Sequence, residues 1–221
     1  IGSNINGSSI TSKSGFSISL SQDGSIIAVG GHWEDWNNES ANGEVRVFQN
    51  VNDSWDQIGL GIGSFSSWGE YSSENYSKYN VSIDLSSDGS ILVIGSDLSD
   101  NRKGKVRVFK NVNNSWKQIG SDIKNLFANG SERNGKEEFG KSVSISADGS
   151  IVAIGTPTQY GAGGTAYKYG IQNTGNVKVF ENINNNWIEI GLDLSGSSQD
   201  GWEYFGQNLN LSADGSILAI G

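Results

Sequence analysis

The side chains in this chain best suited to chemistry are aromatic, and their spacing separates them into two sets. Trp33, Trp36, Trp68, Tyr71, Tyr76, Tyr160, Tyr167, Tyr169, Trp202 and Tyr204 recur at no fixed interval. They share their segments with Glu34, Asp35, Glu70, Glu74, Asp97, Asp100, Glu137, Glu138, Asp200 and Glu203. Exposed rings stack on sugars or anchor a protein partner, and nearby carboxylates accept hydrogen bonds from hydroxyls or hold a cation. The competing reading is that the rings pack locally to hold long loops down and the carboxylates are merely solvated. The sequence leaves both open. Trp55, Trp116 and Trp187 form the second set; they recur at one repeat position, the pattern of a buried ring that packs one unit on the next.

Catalytic constellations are scarce. His32 is the single histidine, so a Ser-His-Asp triad would have to use it, and no G-x-S-x-G elbow is present. The glycine-rich stretch 161–170, GAGGTAYKYG, lacks the G-K-[ST] ending and the following helix of a phosphate loop, and reads as an ordinary loop. The chain has no Cys, which removes thiol chemistry, disulfides and the usual Cys-based zinc sites. A net charge of -9 disfavours nucleic acid and anionic lipid. No apolar run approaches the ~20 residues that cross a bilayer, and residues 1–10 lack the basic start and apolar core of a signal peptide. The expectation is therefore a chain that is not an enzyme, carries no cofactor, binds no nucleic acid and has no transmembrane segment.

The elements that must position the aromatic residues follow from an internal repeat. SQDGSIIAVG, SSDGSILVIG, SADGSIVAIG and SADGSILAIG begin at Ser21, Ser86, Ser146 and Ser212, and they divide the chain into units 1–57, 58–118, 119–189 and a partial 190–221. Each complete unit carries four runs rich in β-branched and aromatic residues, with Gly, Asn, Asp and Ser between them. A four-stranded antiparallel sheet repeated about every 60 residues is the unit of a β-propeller, so the expected fold is all-β, with three full blades and part of a fourth. The lack of Met and the halved last unit lead us to expect a segment of a longer repeat array, completed by the rest of its own chain or by other subunits.

Asp23-Gly24, Asp88-Gly89, Asp148-Gly149 and Asp214-Gly215 join the first two runs and read as type I′ hairpin turns. The Asn-rich phrases NVNDSW, NVNNSW and NINNNW join the third and fourth. In an up-and-down sheet both kinds of turn lie at one end, and the variable connections, which hold the non-repeating aromatics, lie at the other. Arg46, Arg107 and Lys178 recur in the third run and are expected to pair with an acid of the adjacent blade. Among several N-x-[ST] sequons, Asn52 and Asn113 lie on the tight turns and are candidate N-glycosylation acceptors.

The phrase FGKSVSISADGSIVAIGTP, from Phe139 to Pro157, resembles the FG-GAP repeat of integrin-α-like β-propellers. Phe139-Gly140 stand at FG and Gly155-Thr156-Pro157 at GAP, and Phe205-Gly206 repeat the first half. The other units depart, with Ser14-Gly15 and Tyr79-Asn80 at the first position and Gly30-Gly31-His32 and Gly95-Ser96-Asp97 at the second. The family's D-x-D-x-D-G calcium loop is reduced here to its last Asp-Gly, so calcium at the hairpins is not carried over. The resemblance implies adhesion or recognition of a glycan or protein ligand on an extracellular, cell or particle surface, and implies no reaction. The alternative is a structural building unit of a fibre, coat or surface layer, including a viral or phage particle.

Overall fold

A computed structural model of the chain describes residues 2–7, 13–31, 44–63, 81–97, 103–126, 137–157, 175–197 and 204–221. These residues form only strands and turns, and no helix among them is long and apolar enough to cross a membrane. The first blade comprises β1 (Ser14–Leu20), β2 (Ile26–Gly31), β3 (Val45–Val51) and β4 (Ser54–Gln57). The second comprises β5 (Val81–Leu85), β6 (Ile91–Ser96), β7 (Lys105–Val112) and β8 (Ser115–Gln118). The third comprises β9 (Ser142–Ile145), β10 (Ile151–Thr156), β11 (Asn176–Ile183) and β12 (Asn186–Ser195). A two-stranded sheet, β13 (Leu209–Leu211) and β14 (Leu218–Ile220), follows. Within each of these sheets the strands pair antiparallel in chain order.

The blades stack because their strands are apolar on both faces. In β6, Leu92 and Ile94 pack toward the first blade, against Ala28, Val45, Val47 and Ile58, while Val93 between them packs toward the third. All three are fully buried. The alternation that in a half-solvated strand would separate apolar from polar residues here separates two cores. Phe139 lies in the second core, fully buried and edge-on to Phe180, with ring centroids 6.4 Å apart. Two of the three recurring tryptophans join these cores as expected: Trp116 Nε1 donates to Ile58 O of the preceding blade and Trp187 Nε1 to Ile119 O.

The innermost strands β1, β5, β9 and β13 stand next to one another and are linked by polar side chains at one repeat position. Asp84 accepts from Ser19 Oγ at 2.9 Å, from Ser144 Oγ at 3.1 Å and from Ile145 N at 2.9 Å. Leu85 N in turn donates to Ser19 Oγ, and Leu211 N to Ser144 Oγ. One carboxylate thus ties three blades together, and its burial is compensated by these bonds.

Candidate functional site

At one end of the blades, each Asp-Gly turn closes its serine and aspartate side chains on itself. Ser21 Oγ donates to Asp23 and accepts from Ile26 N, while Asp23 also accepts from Ser25 N and Ser25 Oγ. The same knot recurs around Asp88, Asp148 and Asp214. Hydrogen bonds from Ser25 N and then from Ser21 Oγ lower the Asp23 pKa to about 2, and those from Ser212 Oγ and then Ser216 N do the same for Asp214. Asp148 is lowered chiefly by Ser146. At Asp88 burial pushes upward but is outweighed by the bonds from Ser90 and Ser86. These carboxylates are committed to their own turns.

The type I′ expectation is corrected here. Gly24 N bonds Ser21 O, only Gly24 of the Asp-Gly pair has positive φ, and four residues separate the hydrogen-bonded Ser21 and Ile26. The serines on either side of the Asp widen the loop by offering it better partners than a two-residue turn would. The I′ geometry belongs instead to the Asn-rich turns, where Asn52-Asp53, Asn113-Asn114 and Asn184-Asn185 have φ between 51° and 63°. Asn52 and Asn113 are exposed on those turns. The Asp-Gly tips also bond to one another: Gln22 N reaches Ser87 O, Ser87 N reaches Ala147 O, and Ala147 N reaches Ala213 O, at 2.8–2.9 Å.

At the opposite end, the Phe-Gly phrase makes a tight corner. Lys141 N donates to Glu138 O and Gln207 N to Tyr204 O, placing Gly140 (φ 89°) and Gly206 (φ 87°) at the third position, where a type II turn demands glycine. Space imposes the same choice: a Cβ on the facing Gly95 would sit 2.3 Å from Gly140 O, and one on Gly155 2.2 Å from Gly206 O. The residue entering each corner is also left-handed although it is not glycine: Lys13 at φ 38°, Glu138 at 56° and Tyr204 at 50°. Such backbone costs about 1 kcal/mol or more per residue and marks a position whose geometry is held by its surroundings.

Beside the second corner lies a charged cluster. Lys141 Nζ donates to Asp97 Oδ2 at 2.7 Å, and Asp97 is fully buried. Glu137 and Glu138 are buried as well, and Asn125 Nδ2 donates to Glu137 at 2.5 Å. Arg107 forms a two-pronged pair with Asp122, Nε to Oδ1 at 2.6 Å and Nη2 to Oδ2 at 3.0 Å, with Lys105 at 4.0 Å from the same carboxylate. At Asp122 burial raises the pKa, but the Arg107 hydrogen bond and then Gln118 outweigh it, and the net direction is down. Among the described residues no three carboxylates or histidines converge as a metal site. Asn125 Oδ1, and Thr156 Oγ1 and Asn176 Oδ1 of one cross-strand pair, are buried without a hydrogen-bond partner among the described residues.

Two further expectations change. The third-strand cations pair on their own sheet or just past its last strand rather than on the adjacent blade: Lys178 on β11 bonds Glu189 and Asp193 on β12, both at 2.7 Å, Arg107 takes Asp122 just past β8, and Arg46 reaches Glu44, Asn6 O and the Phe48 ring. Asp122 and Asp193 each stand three residues after the isoleucine of an Ile-Gly phrase, Ile119 and Ile190. Asp97, Glu137 and Glu138 are buried rather than solvated. Of the aromatic candidates, Tyr204 lies at the third Phe-Gly corner, 44% exposed. Trp33, Trp36, Trp68, Tyr71, Tyr76, Tyr160, Tyr167, Tyr169 and Trp202 lie outside the described residues. Lys105, Asn125 and Lys141 were not singled out by sequence reasoning. Lys141 and Asp97 are 44 positions apart, and only the stacking of blades brings them together.

No family model and no curated protein matches the chain. Among solved structures it is similar to Sqt1 from Chaetomium thermophilum, with a TM-score of 0.53 and 18% identity over 95% of this chain and 41% of that one. It is also similar to the periplasmic gluconolactonase PpgL of Pseudomonas aeruginosa (TM-score 0.43, 15% identity, 98% of this chain and 66% of that one). A third likeness is to the Dos1 propeller (TM-score 0.35, 12% identity, 92% and 51%). The fold is a β-propeller. At these identities the likeness to Sqt1 shows the fold alone, and the other two scores carry no argument about activity. The chain spans less than half of Sqt1.

Proposed function

We propose that this propeller segment is a non-enzymatic recognition module of an extracellular or particle-surface protein, related in design to FG-GAP repeats, which binds a glycan or protein ligand through the variable-loop end of its blades. The observation that carries the reading is the unequal use of polar groups at the two ends. The turn end satisfies its serines, aspartates and tip amides within and between blades. The loop end holds Asn125 Oδ1, Thr156 Oγ1 and Asn176 Oδ1 buried without a hydrogen-bond partner among the described residues, a buried ion-pair cluster, and the exposed Tyr204. Buried polar atoms without partners are costly, and a polar ligand or bound water offsets that cost. Aromatic residues of the variable connections supply stacking area for such a ligand.

Probing an immobilised glycan panel, and a panel of surface proteins, with the chain tests the reading. Replacing Trp33, Trp36, Trp68 and Trp202 together by Ala should reduce binding to a panel member at least tenfold and leave the β-sheet circular dichroism unchanged. Binding that survives the fourfold replacement would refute the assignment of the loop end.

A further inference from the structure

The phrase Ser-x-Asp-Gly-Ser, at 21–25, 86–90, 146–150 and 212–216, puts a chemically fragile dipeptide into every one of these hairpin tips. After Asp or Asn, a glycine amide readily attacks the side-chain carbonyl carbon, because no Cβ hinders its approach. With Asp, the bond from Gly N to Cγ forms, a Cγ–O bond breaks and water leaves, closing a succinimide; water then adds to either ring carbonyl and gives back Asp or yields isoaspartate. With Asn, ammonia leaves in place of water. Isoaspartate carries the main chain through the side-chain methylene, so each event lengthens the backbone by one carbon. The tips have little slack for that. Gln22 N, Ser87 N and Ala147 N each bond the carbonyl of the next tip, and Ile26, Ile91 and Ile151 lie 2.4–2.7 Å from where a Cβ on Gly89, Gly149 and Gly215 would stand.

In each tip both reacting groups are already engaged. The amides of Gly24, Gly89, Gly149 and Gly215 donate to the carbonyl of the serine three residues back, all at 2.9 Å. Each carboxylate accepts from the serine hydroxyl two residues before it and from the serine amide two residues after it. Ser25, Ser150 and Ser216 add their own hydroxyls. Ring closure requires the carboxyl to swing off these donors and to take up a proton before its oxygen leaves as water, and the same donors hold Asp23 and Asp214 ionised, with pKa values of about 2. Asn6-Gly7 is built in the opposite way. Both residues are exposed, and among the described residues neither the Asn6 side chain nor Gly7 N makes a hydrogen bond; only Asn6 O is engaged, by Arg46.

We propose that the serine knots lock the four Asp-Gly pairs against succinimide formation, and that spontaneous modification among the described residues falls instead on Asn6. The lock acts at the turn end and stands independently of the loop-end recognition reading.

The test is incubation of the full chain for weeks at neutral pH and body temperature, followed by peptide mapping in which deamidation is read by mass and isoaspartate by enzymatic methylation. Asn6 should convert first. Each Asp-Gly pair should convert at least about tenfold more slowly than in a short synthetic Ser-Ala-Asp-Gly-Ser peptide, since several hydrogen bonds must break before the ring closes. Ser146→Ala with Ser150→Ala strips both hydroxyls from Asp148 and should raise isoaspartate there about tenfold, with Asp23, Asp88 and Asp214 unchanged as controls in the same molecule. Ser150→Ala alone, at a half-buried position, should give a smaller rise with unchanged circular dichroism. Unaltered pairs that convert as fast as the peptide, a rate at 148 that neither variant changes, or an equal rise at all four pairs in Ser150→Ala would overturn the lock. Asn6 outlasting any of the four Asp-Gly pairs would overturn its assignment as the site that ages.

Discussion

The two ends of the blades are built from the same strands and treat polar groups in opposite ways. At the turn end, Ser, Asp and backbone amides close on one another in a pattern repeated four times, and the tips bond in a row. At the loop end the glycine corner recurs at Gly15, Gly140 and Gly206 among the described residues, but the residue entering it is Lys13, Glu138 or Tyr204, and the facing position is Asp97 or Pro157. On the proposed function, this difference separates an end that builds from an end that recognises. Substitutions at the loop end should then change binding without dismantling the stack, provided they spare the corner and the buried pair beside it.

Three perturbations would break or sharpen that contrast. The largest effect is expected from Phe139→Ala, which removes a fully buried ring from the second core and should cost about 3–5 kcal/mol in a denaturant melt. This is the part of the loop end that belongs to construction, and a change below about 1 kcal/mol would mean that the corner is not what holds the junction. Next comes Lys141→Met, which removes the ammonium 2.7 Å from the buried Asp97 carboxylate and should destabilise by about 3 kcal/mol, the lower end for a broken buried pair; a denaturant melt reads it.

The smallest effect is expected at the turn knots. The Asp23 and Asp214 carboxyls have folded pKa values of about 2 against an ordinary 3.8, so their contribution is fully present above pH 3.8 and is lost as pH falls through about 2. Both are exposed, and the contribution is correspondingly small. Carboxyl titration by NMR should find them among the last side chains to protonate; midpoints near 3.8 would show that the serine bonds do not hold in solution.

Much of the fold was legible because the repeat multiplies each signal. Strand positions, the separation of the two ends and the packing role of Trp116 and Trp187 all followed from period-two patterns and recurring turns. Asp-Gly misled because it is a strong marker of a two-residue turn, and the flanking serines that widen the loop act through side-chain bonds that a dipeptide rule ignores. The site was less legible. Tyr204 lies at a glycine corner of the loop end, while the Asp97–Lys141 pair, and Thr156 and Asn176 atoms buried without a partner among the described residues, could not be read from the sequence. The acid partners of Arg107 and Lys178 did leave a trace, since Asp122 and Asp193 each stand three residues after the isoleucine of an Ile-Gly phrase, where Ile58-Gly59 is followed at that position by Gly61.

The absence of cysteine makes one measurement especially direct, because a single introduced thiol can carry a bulky maleimide label at a chosen face. Gln22→Cys places the label on the exposed turn tips and Tyr204→Cys places it on the exposed loop corner. Binding to any glycan or protein identified on the panels should be blocked by the label at position 204 and unaffected by the label at position 22. Blocking from the turn tips with free binding at the loop corner would contradict the division of the molecule into an end that builds and an end that binds.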